Sequence, residues 1–577
     1  MRKIILTIAV VFYAMCMIAQ NSTFETAAEA VRNMKVGWNL GNTLDSHTGY
    51  TGNDWRYWET IWSQPLTKPR VIKMMKEAGF NVIRVPVTWY PHMDEKGKVD
   101  SVWMRRVHEV VDYVMDEGMY CLLNVHHDTG AHETAWIVAD SADYVQKKEK
   151  FEYLWRQIAT EFKDYGERLL FEGYNEMLDP YYSWGYASYK TSGQYDEEVA
   201  RSAYYAVNAY AQSFVNAVRS TGGNNSVRNL VCCIYCASEG TGADWNKHLQ
   251  DPVKAMKMPD DEVQNHLAVE MHYYRTLPNM ETVRKYVDFL MDNLQTYLAD
   301  RLGVPVIIGE WGPRLEDGDA YELQQEYLLQ FADYFIKKAK ARNFATLYWM
   351  GMSNKLARLW PYFNQPLLAE AVLKAYYGDD YNPKLPTIDN YDYDYTEVTF
   401  TGQWGEFHVY KGDTLDLSDW KAVRVELANP PKENGTLQIR GYGVPVGTAN
   451  VSSVNFTKSD TVLTLTFDQE KMNHKLTRAV IVNRADKELV VNIRRAFLIK
   501  QDGTEVETEL SCRNRCLISD IIAHPKSSPT AVSQPGTSIH DHAARQVVFT
   551  LTGQRVSRPS MGIYIINGKK IVISSDQ

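Results

Sequence analysis

From about Met34 to Leu373 the chain repeats one pattern: a short apolar run, a polar loop and an amphipathic segment with helical spacing. The apolar runs predict eight strands, at Lys35–Leu40, Asn81–Val87, Tyr120–Val125, Leu169–Gly173, Leu230–Ile234, Leu267–His272, Val304–Gly309 and Phe344–Trp349. The amphipathic segments predict helices at Arg70–Ala78, Met104–Glu117, Phe151–Tyr165, Ala200–Arg219, Met280–Arg301 and Glu322–Ala341. Continuous apolar strands that alternate with helices are typical of a parallel sheet covered on both faces. Eight such units in about 340 residues predict an α/β fold, a closed (β/α)8 TIM barrel over residues 30–376.

The pattern changes after Tyr376. Residues 377–395 are rich in Asp, Asn, Pro and Tyr, which is typical of a linker or a wrapping segment. Residues 396–510 carry short alternating runs without a long helix, and they predict an all-β sandwich domain. A second linker, rich in Pro and Ser, is predicted at 523–538, and a short β-rich C-terminal tail at 543–577.

The first residues have the features of a secretory signal peptide. Arg2 and Lys3 precede an apolar run that ends near Ala19, and this run is too short to span a bilayer. Residues 1–19 are therefore predicted to be removed, and the bulky Met15 argues against lipid attachment at Cys16. With no other long apolar run, we expect a secreted protein without an integral membrane segment, either extracellular or at the cell surface, with the periplasm as an alternative.

Composition narrows the class of ligand. The chain has 62 basic and 71 acidic residues, a net charge of −9, and no basic stripe of the kind that nucleic-acid binders carry. Aromatic residues make up 12% of the chain, and their flat faces suit either sugar stacking or a large core. The sequence therefore predicts no nucleic-acid partner and an uncharged or small-molecule ligand. We also expect the protein to be a monomer.

Polar and aromatic side chains follow the predicted strands. Because a barrel of this kind places its active site at the carboxyl ends of the strands, these side chains are expected to converge on one mouth. The candidate site residues are Asn42, Arg84, His126, His127, Asn175, Glu176, His272, Tyr274, Glu310 and Trp349.

Two of these candidates are carboxylates on opposite walls. Glu176 follows the fourth strand and Glu310 the seventh, so the two can face each other over a sugar ring. Cleavage of a glycosidic bond needs such a pair, one to protonate the leaving oxygen and the other to attack or to activate water. A single acid at a strand end can equally be a helix cap or an ion-pair partner; the two together indicate catalysis.

Six motifs give the chain a family resemblance. They are WNLGNTLD from Trp38, GFNVIRVPVTW from Gly79, LNVHHD from Leu123, FEGYNE from Phe171, HYY from His272 and IGEWG from Ile308. Over residues 30–375 the chain resembles the cellulase family, glycoside hydrolase family 5. The resemblance implies a retaining mechanism, with Glu176 as acid/base, Glu310 as nucleophile and the two carboxyl groups roughly 5–5.5 Å apart.

The resemblance also implies roles for the other candidates. Asn175 would bond a sugar 2-hydroxyl, Tyr274 would orient Glu310, and Arg84 would keep Glu310 ionised. His272 would support Glu176. The remaining members are expected to bind sugar hydroxyls or, for the indole, to form the floor of the sugar site; they are Asn42, His126, His127 and Trp349. Simpler alternatives are a structural ion pair for Arg84 and core packing for Trp349.

A metal site is an alternative for the tract that contains His126, His127 and Asp128, with His132 and Glu133 after it. Adjacent residues at a strand end diverge, and no His-x3-His or Cys/His cluster accompanies them. The sequence therefore predicts neither a metal nor a cofactor.

The leading hypothesis is an endo-β-glycanase acting on β-1,4-glucan, which includes cellulose, mixed-linkage glucan and xyloglucan. The paired histidines and Asn42 resemble the β-glucan and xyloglucan branches of the family more than its mannanases, although Met177 stands where the family usually has Pro. The alternatives are an endo-β-mannanase or xylanase of the same mechanism and a non-catalytic glycan-binding protein. The five mouth-side tryptophans, Trp55, Trp58, Trp62, Trp136 and Trp184, are candidate sugar platforms.

The region after the barrel also invites hypotheses. The sandwich resembles a carbohydrate-binding module, with Trp404, Trp420 and Tyr442 as candidate platform residues, and a spacer domain is the alternative. The final segment from Leu551 to Lys570 resembles the C-terminal sorting tails of exported Bacteroidetes proteins.

Overall fold

A computed structural model describes residues 24–48, 54–187, 195–242, 244–276, 279–314, 321–444 and 451–526, together with four short strands between 548 and 573. The predicted signal peptide, residues 1–19, lies outside the described residues. So do residues 527–538 of the predicted second linker.

Eight parallel strands close into a barrel in chain order, with the eighth hydrogen-bonded to the first. They are β1 Val36–Asn39, β2 Val82–Val85, β3 Tyr120–Asn124, β4 Leu169–Glu172, β5 Leu230–Cys233, β6 Leu267–Thr276, β7 Val306–Arg314 and β8 Ala345–Trp349. The (β/α)8 barrel predicted from the alternation of apolar runs and amphipathic segments is confirmed.

The α-helices of the described part cover Ala27–Met34, Trp55–Thr60, Pro69–Ala78, Ser101–Asp116, Ser141–Glu161, Glu197–Arg219, Asp251–Ala255, Met280–Asn293, Tyr321–Lys340 and Pro366–Tyr377. Three of the long ones begin at an aspartate, Asp100, Asp140 or Asp196, whose carboxylate accepts N–H bonds from the first turn. Because of these caps, each helix starts three to ten residues before the predicted one. Within the described residues, no helix is long and apolar enough to cross a membrane.

A short helix, Ala27–Met34, closes the amino-terminal end of the barrel and was not predicted. Thr26 and Glu29 form a reciprocal capping box at its start. Its apolar face, which includes Ala30 and Met34, belongs to one buried cluster with residues at the beginnings of the strands, such as Val82. The bottom of the barrel is therefore sealed by apolar packing.

Strands β6 and β7 run well past their predicted ends. They pair from Val269 to Thr276, and a shift of register after Met271 places His272 opposite Glu310. Glu310 therefore lies inside a strand, held by a hydrogen-bonded ladder, and not in the loop that follows it. This extension fixes the two walls of the mouth that carry His272 and Glu310.

Antiparallel strands form two sheets after the barrel, as predicted. The strands are β9 Tyr391–Phe400, β10 Glu406–Asp416, β11 Trp420–Leu427, β12 Leu437–Tyr442, β13 Val451–Asn455, β14 Val462–Thr466, β15 Lys475–Asn483, β16 Leu489–Lys500, β17 Glu505–Glu507, β18 Ser511–Cys512 and β19 Cys516–Pro525. One sheet has the order β13-β12-β15-β10-β18 and the other β14-β11-β16-β9-β19, and their inner faces share one apolar core. The sheets begin at Tyr391 and end at Pro525, so they extend into both predicted linkers.

Four further strands form a separate antiparallel sheet near the end of the chain. They are β20 Val548–Thr550, β21 Arg555–Val556, β22 Gly562–Ile566 and β23 Lys569–Ile573, in the order β21-β20-β22-β23. The β-rich tail expected from the sequence is present.

The chain divides into two compact units. The first comprises residues 1–55, 75–350 and 367–384, and the second residues 56–74, 351–366 and 385–577. Within the first unit, Tyr377 and Tyr381 donate hydrogen bonds to the carbonyls of Gly79 and Ala78. The start of the predicted linker at 377–395 is thus a wrapping segment that is fastened to the end of a barrel helix.

Candidate active site

Arg84 on β2 lies at the centre of the mouth and is fully buried. Its Nε and Nη2 donate to both oxygens of Glu172 at 2.7 Å, and its Nη1 donates to Glu310 Oε1 at 2.6 Å. The same guanidinium donates to Asn39 Oδ1 at 3.0 Å and to Asn175 Oδ1 at 2.9 Å. One cation therefore positions four residues from three strands or their ends, β1, β4 and β7, as a planar fork of five donors can. This arrangement combines both hypotheses for Arg84, the structural ion pair and the contact with Glu310.

Glu310 is held by donors on both of its oxygens. Arg84 binds Oε1, and the Tyr274 hydroxyl donates to Oε2 at 2.6 Å. Burial favours the neutral carboxyl, but the charges of His272 and Arg84 outweigh it, so the pKa of Glu310 lies below its ordinary value. An ionised carboxylate fixed in this way is suited to nucleophilic attack.

Glu176 and Glu310 share His272. The ring donates through Nδ1 to Glu176 Oε1 at 2.8 Å, and Nδ1 is 3.7 Å from Glu310 Oε2. One oxygen of each carboxylate and one ring nitrogen of His272 lie within 4.8 Å of one another. The nearest oxygens of the two carboxylates are therefore no more than 4.8 Å apart, which favours a retaining pair over the 6.5–9.5 Å separation of carboxyl groups typical of inverting enzymes.

His272 is cationic at neutral pH. Burial alone would lower its pKa, but the charge of Glu310 and the hydrogen bonds to Glu176 and Glu270 raise that pKa to about 10. Its Nε2 donates to Glu270 Oε1 at 3.0 Å, so carboxylates lie at both ring nitrogens. The ring orientation is thereby fixed, and with it the oxygen of Glu176 that the ring holds.

Asn175 is oriented by the same network. Its Oδ1 accepts from Arg84, and its backbone N–H donates to the Val125 carbonyl at 2.9 Å. The Thr129 hydroxyl donates to the Asn175 carbonyl at 2.7 Å. With Oδ1 engaged, the side-chain NH2 group is the donor that remains to face a sugar hydroxyl beside Glu310.

His126 and Trp349 lie together on another wall. The Asn124 amide donates to His126 Nδ1 at 2.9 Å, so the neutral ring carries its proton on Nε2, which is 3.8 Å from Glu310 Oε1. The Trp349 ring lies parallel to the His126 ring, at a centroid distance of 5.8 Å. A Cβ atom on Gly41 would lie 2.8 Å from Trp349, so the glycine allows the indole to approach the backbone closely there.

Asn42 and His127 both lie beside Asp45. The backbone N–H groups of Asn42 and Thr43 donate to the two oxygens of the buried Asp45. His127 Nε2 is 3.8 Å from Asp45 Oδ2. The structure thus brings eight of the ten candidates into the contacts around Glu176 and Glu310, and it places Asn42 and His127 beside Asp45.

The comparison with protein families identifies the chain. The family model of the cellulases, glycosyl hydrolase family 5, matches residues 44–355. The chain belongs to this family. The expectation of a glycoside hydrolase is confirmed.

Solved structures and curated proteins of the same family resemble the chain. A structure described as a GH5-4 broad specificity endoglucanase from an uncultured bacterium is 53% identical, with a TM-score of 0.60, and covers 62% of this chain and 96% of its own. A family 5 enzyme from Prevotella bryantii B14, solved with a xyloglucan tetradecasaccharide, is 38% identical, with a TM-score of 0.54, over 61% of this chain and 99% of its own. Endoglucanase A of Clostridium longisporum is 30% identical over 383 residues, 62% of this chain and 67% of that protein.

Sequence reasoning missed four polar residues of this family 5 site. They are Asn39, Asn124, Glu172 and Glu270, all fully buried inside the barrel strands. Burial raises the pKa of Glu172 to about 7 in spite of its bond to Arg84. The signal that could have revealed these residues was a polar residue inside an otherwise apolar strand, at a position that points into the barrel.

The tryptophans that the sequence assigns to mouth-side loops differ in exposure. Trp58 and Trp136 are buried, and Trp136 Nε1 donates to Asp128 Oδ1 at 2.7 Å, so these two stabilise loops. Trp184, in the loop after β4, is 53% exposed. Of the five candidate platforms, Trp184 has the largest exposed ring.

His47, from the loop after β1, and His132, from the loop after β3, lie close together and next to His127. His47 Nε2 is 3.3 Å from His132 Nδ1, and His47 Nδ1 donates to Glu133 Oε1 at 3.0 Å. Burial lowers the pKa of His47 and brings that of His132 to about 4, so both rings are neutral at pH 7.

Proposed function

We propose that Glu310 and Glu176 are the nucleophile and the acid/base with which this retaining endo-β-glycanase cleaves β-1,4-glucan chains. The observation that carries the proposal is the carboxylate pair, with oxygens within 4.8 Å and different partners on each side. Glu310 is bound by Arg84 and Tyr274, and Glu176 by His272. Two carboxyl groups with separate environments can take separate roles.

In the first step an oxygen of Glu310 attacks the anomeric carbon while the glycosidic oxygen leaves with the proton of Glu176. His272 holds Glu176 Oε1, so the other oxygen, Oε2, is the one that can carry this proton. The side-chain NH2 group of Asn175 donates to the sugar 2-hydroxyl, a contact that strengthens as positive charge develops on the ring. The product is a glycosyl ester of Glu310.

In the second step water attacks the anomeric carbon and gives a proton to Glu176. The bond to Glu310 breaks, the carboxylate is restored, and the sugar leaves with its original β configuration. Arg84 and Tyr274 then receive the returning carboxylate.

The relatives and the exposed aromatic surface both support a substrate class. The 53% identical structure is described as a broad specificity endoglucanase, and the 38% identical enzyme was solved with xyloglucan. Trp184, together with Tyr181 and Tyr182, presents exposed rings in the loop that follows Glu176, on the side of the leaving group. We therefore propose broad action on cellulose-type, mixed-linkage and decorated β-1,4-glucans, with mannan or xylan as the alternative.

A panel of soluble polysaccharides tests the proposal. Wild type, Glu310→Gln and the exposed-carboxylate control Glu197→Gln are compared on carboxymethylcellulose, mixed-linkage glucan, xyloglucan, glucomannan and xylan by release of reducing ends. We expect Glu310→Gln to lose at least about 10³-fold in activity and Glu197→Gln to match the wild type. NMR of the first product is expected to show the β anomer. Activity that survives in Glu310→Gln, or an α product, would refute the assignment, and a preference for glucomannan or xylan would refute the substrate.

The regions outside the barrel carry proposals of their own. We propose that the protein is exported, is monomeric, and binds polysaccharide through its sandwich domain.

Trp404 is 46% exposed, and the Arg484 guanidinium lies 3.9 Å from its ring centroid, whereas Tyr442 is buried and Trp420 packs against the core of the sandwich. Trp404 is thus the candidate platform. Full-length Glu310→Gln with and without Trp404→Ala is compared by affinity electrophoresis in β-glucan gels, where equal retardation would refute the sandwich's role.

A further inference from the structure

A histidine cluster joins two loops at the mouth of the barrel. His47 comes from the loop after β1, whereas His127 and His132 come from the loop after β3. One ring nitrogen from each lies within 4.8 Å of the others. No step of the proposed hydrolysis uses His47 or His132.

The spacing of one nitrogen pair in the cluster matches that of two ligands on a metal ion. A tetrahedral zinc ion with Zn–N bonds of about 2.0–2.1 Å holds its nitrogen ligands about 3.3–3.4 Å apart. His47 Nε2 and His132 Nδ1 are 3.3 Å apart. The rings of His127 and His132 lie with centroids 3.9 Å apart, and one ring nitrogen of His127 is within 4.8 Å of a ring nitrogen of each of the other two histidines.

A carboxylate fixes the orientation of one ligand. His47 Nδ1 donates to Glu133 Oε1 at 3.0 Å, which leaves the lone pair of the ring on Nε2, the atom that faces His132. Metal-binding histidines commonly donate their other N–H to a carboxylate, which sets the tautomer and raises the basicity of the ligand. The side chain of His47 is 4% exposed, and that of Glu133 is 58% exposed.

We propose that His47, His127 and His132 bind one divalent transition-metal ion of the zinc class. Imidazole ligands suit zinc, copper and nickel, whereas magnesium and calcium prefer oxygen. Without the ion, His132 Nδ1–H donates to His47 Nε2; with it, the His132 proton moves to Nε2 and both facing nitrogens coordinate. His132 is half-buried, which gives the ion and a fourth, water ligand access from solvent.

The ion fastens the loop after β1 to the loop after β3. Both loops carry residues of the sugar site, since Asn42 precedes His47 and His126 precedes His127. Binding to the folded state alone stabilises that state in proportion to the logarithm of free metal concentration. The melting temperature is therefore expected to rise with zinc.

Metal uptake by the untagged full-length protein tests the proposal without reference to hydrolysis. Chelator-treated protein is titrated with zinc chloride by calorimetry, and cobalt is used as a spectroscopic probe. We expect one equivalent of zinc to bind and the cobalt spectrum to show tetrahedral coordination without a thiolate charge-transfer band. Lack of saturable binding in the wild type, or a thiolate band from the cysteines, would overturn the assignment.

Variants locate the ion. His132→Ala is expected to lose binding, and Glu133→Gln to weaken it roughly 10- to 100-fold. His248→Ala is the matched control, since this half-buried ring pairs with Asp251 at 2.8 Å on a different loop. It is expected to bind zinc as the wild type does. If Glu133→Gln and His132→Ala keep wild-type affinity, the proposal is wrong. Melting curves in chelator show whether a variant has lost a ligand or has lost its fold. Glu133 is exposed, so its replacement is the one least able to disturb folding.

Discussion

At the scale of single residues, the site depends on how one cation is shared among buried acids. Arg84 contacts Glu172 and Glu310 directly, and its Nε lies 3.7 Å from Glu270 Oε1. Since a buried carboxylate without a partner is costly, the guanidinium supports both the fold and the ionised state of Glu310. Tyr274 is a separate donor to Glu310, so its contribution to the ionised state of Glu310 can be measured by removing its hydroxyl.

Replacing Tyr274 by Phe tests that contribution. The change removes the hydroxyl that donates to Glu310 Oε2 at 2.6 Å and leaves the ring. Because this bond stabilises the ionised carboxylate, its loss raises the pKa of Glu310. The nucleophile must be ionised, so the acid limb of kcat/KM is expected to move to higher pH, by roughly one unit.

The pH profile of kcat/KM on a soluble β-glucan gives the measurement, with the exposed Tyr205→Phe as control. An acid limb that stays in place, or moves to lower pH, would show that Tyr274 does not act on Glu310.

At the scale of the element, the paired ends of β6 and β7 determine the site. Gly309, just before the nucleophile, lies against Glu270 on β6: a Cβ atom there would fall 1.6 Å from Glu270 Oε1. That oxygen accepts the hydrogen bond from His272 Nε2. The missing side chain at Gly309 is therefore what allows Glu270 to hold His272, and through it Glu176.

Gly309→Ala is expected to displace the Glu270 carboxylate and release His272. We expect a loss of kcat of roughly 10²-fold and a destabilisation of about 1–3 kcal/mol from overpacking. Activity assays and urea unfolding measure the two effects, and Gly166→Ala, where a Cβ atom meets no neighbour, is the control. Wild-type kcat in Gly309→Ala would contradict this coupling.

The strands and their ends also show which features of the fold and the site the sequence can predict and which it cannot. The apolar runs identify all eight strands because buried parallel strands are apolar throughout. The ends of β6 and β7 escape, since Tyr273–Thr276 and Glu310–Arg314 contain polar and glycine residues and are strands only because they pair with each other. Glu172 and Glu270 are hidden by the apolar residues around them. The histidine cluster escapes because His47 is distant in the chain from His127 and His132, and the loops after β1 and β3 come together only when β1, β2 and β3 lie side by side in the folded barrel.

At the scale of the whole molecule, the second compact unit contains the sandwich and two further segments, 56–74 and 351–366, which lie within the barrel part of the sequence. Arg56 pairs with Glu488 at 2.8 Å, and the ring of Trp360 stacks on Tyr393 with a centroid distance of 5.6 Å. The backbone of Phe363 donates to the Pro386 carbonyl at 2.8 Å. These contacts make the two segments dependent on residues after 384.

Truncation after Lys384 is therefore expected to lower the melting temperature of the enzyme by several degrees, because segments 56–74 and 351–366 lose their partners. Calorimetry of the full-length and truncated proteins measures the change. A single substitution, Tyr393→Ala, controls for the loss of mass and is expected to reproduce part of the shift. An unchanged melting temperature on truncation would show that the segments are stable without the sandwich.

The small helix beneath the barrel has a practical consequence for use of the enzyme on solid substrates. Ala27–Met34 packs among the beginnings of the strands, whereas Glu176 and Glu310 lie at the strands' far ends. A linker attached ahead of this helix leaves from the base of the catalyst, about a barrel's height from the cleft. Enzyme anchored to a bead or a cell by its amino terminus would thus present its cleft outward, toward fibres too large to diffuse to it.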